Sequence, residues 1–79
     1  TVHCLGAFRA IGDSLVVDVG DLSVASIRAA VSRSLVAMER ADLNTVLTRS
    51  VFAEGDELLK DHVTISGREV SLLPPVAGG

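Results

Sequence analysis

Several residue types on which protein chemistry often depends are scarce in this sequence. It has one cysteine, Cys4, one lysine, Lys60, and neither tryptophan nor tyrosine. A single thiol excludes an intramolecular disulfide and a metal site built from several cysteines. The first residues do not form a basic segment followed by an apolar run, and no apolar run is long enough to span a bilayer. We therefore expect a cytoplasmic protein without a membrane partner.

Positive charge is scarce as well. Seven basic residues stand against ten acidic ones, which gives a net charge of −3, and Lys60 is followed directly by Asp61. Binding to nucleic acid irrespective of base sequence requires clustered Lys and Arg side chains that face phosphates. The sequence has no such cluster, so we expect no nucleic-acid partner.

The composition predicts one small domain with an aliphatic core. The 79 residues leave room for a single domain, and 48% of them are hydrophobic. A domain of this size buries only about 60% of the surface that its unfolded chain exposes. Phe8 and Phe52 are the only aromatic residues, so the core has to be built mainly from Val, Leu, Ile and Ala.

The amino-terminal part predicts a β-hairpin. Residues 1–8 form an apolar run typical of a strand, in which Gly6 indicates a bulge or a close approach of another part of the chain. Gly12 and Asp13 favour a turn. Residues 14–19 are rich in β-branched side chains and predict the second strand.

The next segment predicts the main helix. Ser23 is the expected N-cap, and Leu22 and Ile27 have the spacing of a hydrophobic staple. Apolar residues then recur every three or four positions, as on the buried face of a helix. They are Val24, Ile27, Val31, Leu35 and Met38.

Three further strands are predicted after the helix, over residues 45–52, 63–65 and 70–72, with a turn at residues 54–56. The order of elements indicates an α+β fold in which one main helix packs on one face of a mixed sheet. We expect residues 1–73 to form the domain and residues 74–79 to form an extended tail.

No side-chain active site is predicted. Cys4 lies in an apolar strand and is expected to be a small buried hydrophobe, because a reactive thiol needs cations or a helix N-terminus nearby. His62 is expected to be a solvated loop residue despite its neighbour Asp61. Glu54, Asp56 and Glu57 lack the ligand spacing of a calcium loop. We therefore expect no catalytic residue and no metal site.

The last residues are the most informative. After the apolar Leu73, Pro74 and Pro75 favour an extended, pre-ordered segment because their φ angles are fixed. Small residues then follow up to Gly79. Glycines have no Cβ, so a partner can close a narrow tunnel around the backbone and reach a carboxylate at Gly79. The residues expected to insert into a partner are Leu73, Pro74, Pro75, Val76, Ala77 and Gly78. The alternative is a frayed end without a function.

This ending resembles that of the MoaD/ThiS family of sulfur carriers, in particular the MoaD-type small subunits of molybdopterin synthase. The matching residues are Leu-Leu-Pro-Pro-Val-Ala-Gly-Gly, residues 72–79. Residues 8–12 are similar to the Arg-containing stretch that follows the first strand in the family, and Leu22, Ser23 and Val24 are similar to the start of its helix. The resemblance implies a β-grasp, ubiquitin-like fold.

The resemblance also implies a chemistry. An E1-like adenylyltransferase of the MoeB type would use ATP to adenylate the Gly79 carboxylate, and a sulfur donor would convert it to a thiocarboxylate. A MoaE-type large subunit would then use the sulfur to build the dithiolene of molybdopterin. The chain itself would bind no cofactor, and the catalytic residues would belong to its partners.

Three alternatives remain open at this point. The chain could carry sulfur for thiamine, cysteine or another sulfur metabolite, although the two prolines favour the molybdopterin type. It could be a protein modifier that forms isopeptide bonds through Gly79. It could also be a small interaction domain with an inert tail.

Overall fold

The strands of the computed structural model, which describes residues 1–75, form one mixed sheet whose buried face packs against one long helix. The strands are β1 (Val2–Cys4), β2 (Ser14–Leu15), β3 (Val51–Glu54), β4 (Glu57–Leu59) and β5 (Val70–Leu73), and the α-helices are α1 (Val24–Ala37) and α2 (Asn44–Arg49). The strand order is β2-β1-β5-β3-β4, in which β1 and β5 are parallel and the other neighbours are antiparallel. The predicted α+β class is confirmed.

Helix α1 begins as the sequence predicts but ends earlier than the apolar stripe suggests. The Ser23 hydroxyl accepts a hydrogen bond from the Ser26 backbone N–H at 3.2 Å, which satisfies one of the free donors of the first turn. At the other end Met38 is the C-cap and is exposed, so its assignment to the buried stripe is wrong. The chain turns there because Glu39 has a positive φ of 61° and the Arg40 N–H reaches back to the Leu35 carbonyl.

The core lies between α1 and alternate residues of the sheet. Phe52 of β3 pairs with Leu72 of β5, which pairs with Cys4 of β1, and all three side chains are buried. Successive side chains of a strand point to opposite faces, so this row fixes which face of each strand meets the helix. The helix contributes Val24, Ile27, Ala30, Val31 and Leu35.

The strand predicted over residues 45–52 is wrong for most of its length. Residues 44–49 form helix α2, and β3 begins only at Val51. The β-branched residues that favoured a strand are accommodated because Leu47 is buried and the Thr48 hydroxyl donates to the Asn44 carbonyl one turn earlier. Burial of an apolar side chain outweighs a weak intrinsic preference for strand.

Arg28 ties α2 to the rest of the domain. Its guanidinium donates to the Leu47 carbonyl and to Asp61, and it lies 5.2 Å from the centre of the Phe52 ring. A cation over an aromatic face is favourable. The Leu47 carbonyl accepts the bond from Arg28 in addition to the one from the Ser50 backbone N–H. Arg28 is therefore engaged in structure, and Asp61 pairs with it rather than with His62.

Three other predicted strands are shorter than expected, and one strand was not predicted. The strand expected over residues 1–8 is limited to β1, because a 3₁₀ helix begins at Gly6. Residues 14–19 alternate in exposure, but only Ser14–Leu15 pairs with β1. Residues 63–65 contribute a single bridge, between Thr64 and Ser23. Strand β4 was missed, although the turn before it was predicted correctly: Gly55, with φ of 63°, and Asp56 join β3 to β4 as a two-residue hairpin loop.

The Glu54 carboxylate holds this hairpin to the loop before β5. It accepts hydrogen bonds from the Gly67 N–H at 2.7 Å and from the backbone N–H and hydroxyl of Ser66. The bonds from the Gly67 and Ser66 backbones lower the pKa of Glu54 below its ordinary value. A carboxyl whose pKa is lower in the folded state stabilises the fold above its unfolded pKa, and this stabilisation is lost as the pH falls through the folded pKa.

We therefore expect Glu54→Gln to lower the unfolding temperature at pH 7 and to lose this effect as the medium is acidified below the ordinary glutamate pKa. Glu57→Gln is the matched control, because Glu57 lies across the same turn and its side chain makes no hydrogen bond or ion pair within residues 1–75. Thermal unfolding of both variants from pH 7 to pH 3 checks this. A Glu54→Gln deficit that is constant with pH would contradict the assigned role of the charge.

Candidate partner-binding site

The residues predicted to form the tail begin at the end of the central strand. Leu73 is the last residue of β5, and Pro74 and Pro75 follow it directly. Leu73 and Pro74 are half-buried, whereas Pro75 is exposed. The sequence predicts that the next four residues insert into a partner and carry the covalent chemistry. These residues, Val76, Ala77, Gly78 and Gly79, lie outside the described residues.

Strand β5 gives the tail a firm base because it is held on both sides. It pairs in parallel with β1, from Val70 opposite Val2 to Leu72 opposite Cys4, and antiparallel with β3, where Leu73 lies opposite Val51. A central strand has ladder hydrogen bonds along both edges, so its end moves less than that of an edge strand. Pro74 therefore starts from a fixed position on the domain.

The expected close approach at Gly6 is confirmed, and its partner is the first residue of the tail. Gly6 has a φ of 56°, and a Cβ built on it would lie 2.5 Å from Cγ and 3.3 Å from Cδ of Pro74. Both segments have just left the sheet here, since β1 ends at Cys4 and β5 ends at Leu73. The loop after β1 thus forms a wall beside the start of the tail.

An apolar patch extends from this point to Leu58 of β4, on the sheet face opposite the core. Its members alternate with buried residues, so they point away from α1. Leu58 is 66% exposed, Val51 is 41% exposed and Leu5 is 39% exposed. Leu73 is half-buried and lies opposite Val51. We call these four residues the apolar patch. Exposed aliphatic side chains grouped on one face are typical of a protein-binding surface, whereas single ones are ordinary.

The sequence predicts a partner contact at Leu73 but not at the other three members of the patch. Val51 was placed within a longer strand that does not exist, and Leu58 belongs to the strand that was not predicted. The missing information is the register, which puts Val51 opposite Leu73 and Ala53 opposite Leu58. Apolar alternation over residues 57–59 could have indicated β4, but three residues give a weak pattern.

Charge is distributed unevenly along the sheet. The β3–β4 hairpin loop carries Glu54, Asp56 and Glu57 at one end, whereas Arg49 precedes β3 at the end where the tail begins. The antiparallel pairing of β3 with β5 places these two groups at opposite ends of the sheet. The end of the sheet at which β5 meets Pro74 is therefore less acidic than the end that carries the hairpin loop.

Side-chain chemistry is not evident elsewhere in the part of the chain that is described. Cys4 is buried as predicted, and burial raises the pKa of its thiol, with a further contribution from the charge of Asp13. Residues 1–75 contain no group of three or more His, Cys, Asp and Glu side chains that could hold a metal ion. His62 is exposed, as expected.

None of the helices in residues 1–75 has the length and apolar character needed to cross a membrane.

No family model, curated protein or solved structure matches the chain. Function is therefore inferred from three features together: the sequence of the tail, the central strand from which it starts, and the apolar patch beside it.

Proposed function

We propose that this protein is a sulfur carrier of the MoaD type, with a β-grasp fold, that donates sulfur for the dithiolene of molybdopterin. One observation carries the proposal: the central strand β5 runs without interruption into Pro74 and Pro75, the start of a Pro-Pro-Val-Ala-Gly-Gly sequence. A rigid segment based in the middle of a sheet suits the delivery of a carboxylate to another protein's active site.

The proposed chemistry has two steps, and both are catalysed by partners. In the first, a Gly79 carboxylate oxygen attacks the α-phosphorus of ATP, and pyrophosphate leaves. In the second, a sulfide sulfur attacks the carbonyl carbon, the C–O bond to AMP breaks, and a thiocarboxylate remains. Adenylation is needed because a carboxylate is a poor electrophile, whereas AMP is a good leaving group.

The fold and the patch support the proposal in different ways. An arrangement of five mixed strands around one long helix is compatible with a β-grasp domain. The apolar patch gives partners a surface to hold while the tail reaches into them, since apolar side chains form the centre of most protein interfaces. The same patch can serve the adenylyltransferase and the large synthase subunit in turn, because both must receive the same tail.

The direct test is intact-mass spectrometry after incubation with an E1-like adenylyltransferase, ATP and a sulfide source. We expect a gain of about 16 Da, the difference between a sulfur and an oxygen atom. An unchanged mass, with an enzyme shown to be active on another carrier, would contradict the proposal. Adducts linked through lysine would instead favour a protein modifier, and self-modification of a side-chain amine could then occur only at Lys60.

The destination of the sulfur needs a second measurement. The thiocarboxylated protein is mixed with a MoaE-type large subunit and the sulfur-free pterin precursor, and molybdopterin is detected by fluorescence of its oxidation product. Formation of the product supports the molybdopterin assignment. Sulfur transfer to a thiamine precursor but not to the pterin would place the protein in the alternative pathway.

The apolar patch yields a prediction of its own. We expect Leu58→Lys to weaken binding to the adenylyltransferase about tenfold or more, because a charge would have to be buried in an apolar contact. Val36→Lys is the control: Val36 is 58% exposed, but it lies on α1, away from the patch. Titration calorimetry with each variant measures the affinity. Equal affinities for the two variants would show that the patch is not the binding surface.

A further inference from the structure

We infer that Gly6 is a positioning residue for the tail: it lets the Pro74 ring seat against the loop after β1, and this contact sets the direction in which the tail leaves the sheet. The consequence of this contact, the delivery of Gly79 to a partner, rests on the proposed function. The contact itself and its effect on the chain direction are properties of residues 1–75.

The contact joins two segments that emerge side by side. Strands β1 and β5 are parallel neighbours with Cys4 opposite Leu72, so two residues later Gly6 and Pro74 lie at the same level. Gly6 begins a short 3₁₀ helix, Gly6–Ile11, whose Phe8 side chain is fully buried in the core. The wall against which the proline lies is therefore anchored and does not move independently of the domain.

The approach leaves no space for a side chain on Gly6. The built Cβ lies 2.5 Å from Cγ of Pro74, and a real Cβ essentially never comes so close to another heavy atom. Cγ of Pro74 belongs to a closed ring, which cannot rotate away as the end of a long side chain can. An L-residue at position 6 would thus have to displace Pro74 or the loop, in addition to adopting an unfavourable positive φ.

A displacement at Pro74 is transmitted along the tail. Pro74 and Pro75 both have φ fixed near −65°, so two successive residues behave as a short rigid rod. A shift at the start of a rod changes the position of its far end, whereas a flexible segment would absorb it. The Gly79 carboxylate lies four residues beyond this rod. A redirected rod reduces the fraction of tail conformations that place the carboxylate correctly, so adenylation should be slower.

The chain contains a matched control for the backbone effect. Gly55 has a φ of 63°, close to that of Gly6, and no atom lies within 4 Å of a Cβ built on it. Gly55→Ala therefore imposes the same kind of backbone strain without a steric contact. A difference between Gly6→Ala and Gly55→Ala reports the contact with Pro74 alone.

The first measurement does not depend on function. Residual dipolar couplings of the Cα–Hα bonds report the orientation of Pro74 and Pro75 relative to the sheet. We expect Gly6→Ala to change these couplings while those of Leu72 stay as in the wild type, and Gly55→Ala to leave all of them unchanged. Unchanged Pro74 and Pro75 couplings in a folded Gly6→Ala variant would overturn the inference.

A double-mutant cycle covers the case in which Gly6→Ala is too unstable for this measurement. Pro74→Ala removes Cγ and Cδ, the two closest atoms, and carries no expected risk to folding. In the Pro74→Ala background, Gly6→Ala should lower the unfolding temperature only as much as Gly55→Ala does. In the wild-type background it should lower the temperature further. Equal effects of Gly6→Ala in the two backgrounds would overturn the inference.

The functional readout separates positioning from binding. With an adenylyltransferase that charges the wild-type protein, Gly6→Ala should reduce kcat on the order of tenfold to a hundredfold, with little change in KM, because the apolar patch still docks. Gly55→Ala should leave both constants unchanged. If the wild type is not charged at all, the proposed function fails, whereas the couplings and the cycle still decide the role of Gly6. A wild-type kcat for folded Gly6→Ala would refute the positioning role.

Discussion

Removal of Gly79 is expected to abolish the gain of sulfur completely while leaving the domain folded. The change shortens the chain by one residue and moves the terminal carboxylate back by about 3.5 Å. A displacement of about 1 Å already slows a reaction strongly, so the shortened chain should not place its carboxylate at the α-phosphate of bound ATP. We expect no change in the unfolding temperature, because β5 ends at Leu73 and the change leaves every member of the core formed within residues 1–75 in place.

The measurement is intact mass after reaction with the adenylyltransferase, ATP and sulfide, together with thermal unfolding of the same sample. Ala77→Gly is the control, since it alters the tail without changing its length. The shortened protein should still bind through the apolar patch and should therefore compete with the wild type for the enzyme. A gain of mass by the shortened chain would rule out Gly79 as the site of the chemistry.

The shortened protein also separates the two roles that the proposal assigns to the molecule. If it competes but is not charged, binding resides in the domain and chemistry in the tail. Leu58→Lys should show the reverse behaviour, with an intact carboxylate but weak binding. Combining both changes should give the weak binding of Leu58→Lys together with no charging, because the two contributions are independent.

The sequence predicts those parts of the fold where one local pattern has one structural solution. The spacing of Val24, Ile27, Val31 and Leu35 can be satisfied only by a helix with a single buried face, and Ser23 marks where it begins. Gly6 in an apolar run indicated a close approach for the same reason: a residue without Cβ interrupts a strand where space is limited.

The rest depends on contacts between distant residues. Residues 45–49 have strand-like composition, yet they are helical because Leu47 fills the core and Arg28, nineteen positions earlier, bonds to its carbonyl. The apolar patch is harder still. Val51 and Leu58 belong to two strands and Leu5 follows a third, so only the order and register of the strands bring them to one face. A pattern read along the chain contains no information on which strands are neighbours.

Replacement of Phe52 should have the largest effect on stability. Phe52 is fully buried in β3, pairs with Leu72 on one side and Leu59 on the other, and lies under the Arg28 guanidinium. Truncation of a buried Phe to Ala typically costs about 3–5 kcal/mol. A domain of this size has a total stability of only roughly 4–12 kcal/mol, so Phe52→Ala should remove a large share of it.

Two features place Phe52→Ala at the upper end of this range. Phe8 is the only other aromatic residue, so the surrounding aliphatic side chains have no large neighbour that could move into the cavity. The change also removes the ring that faces the partly buried Arg28 charge, a contact worth about 0.5–2 kcal/mol. Phe52→Leu, which refills most of the volume but not the aromatic face, should cost markedly less.

Urea unfolding of the wild type, Phe52→Ala and Phe52→Leu measures these differences, and Arg28→Met completes a double-mutant cycle for the cation–ring contact. A loss below about 1 kcal/mol for Phe52→Ala would show that the core rearranges around the cavity.

Packing at Phe52 also bears on the tail. The rigid base of the tail depends on the register of β3 with β5, because Leu73 is paired with Val51, the residue next to Phe52 in β3. Loss of packing at Phe52 should therefore slow adenylation even at temperatures where the variant is still folded.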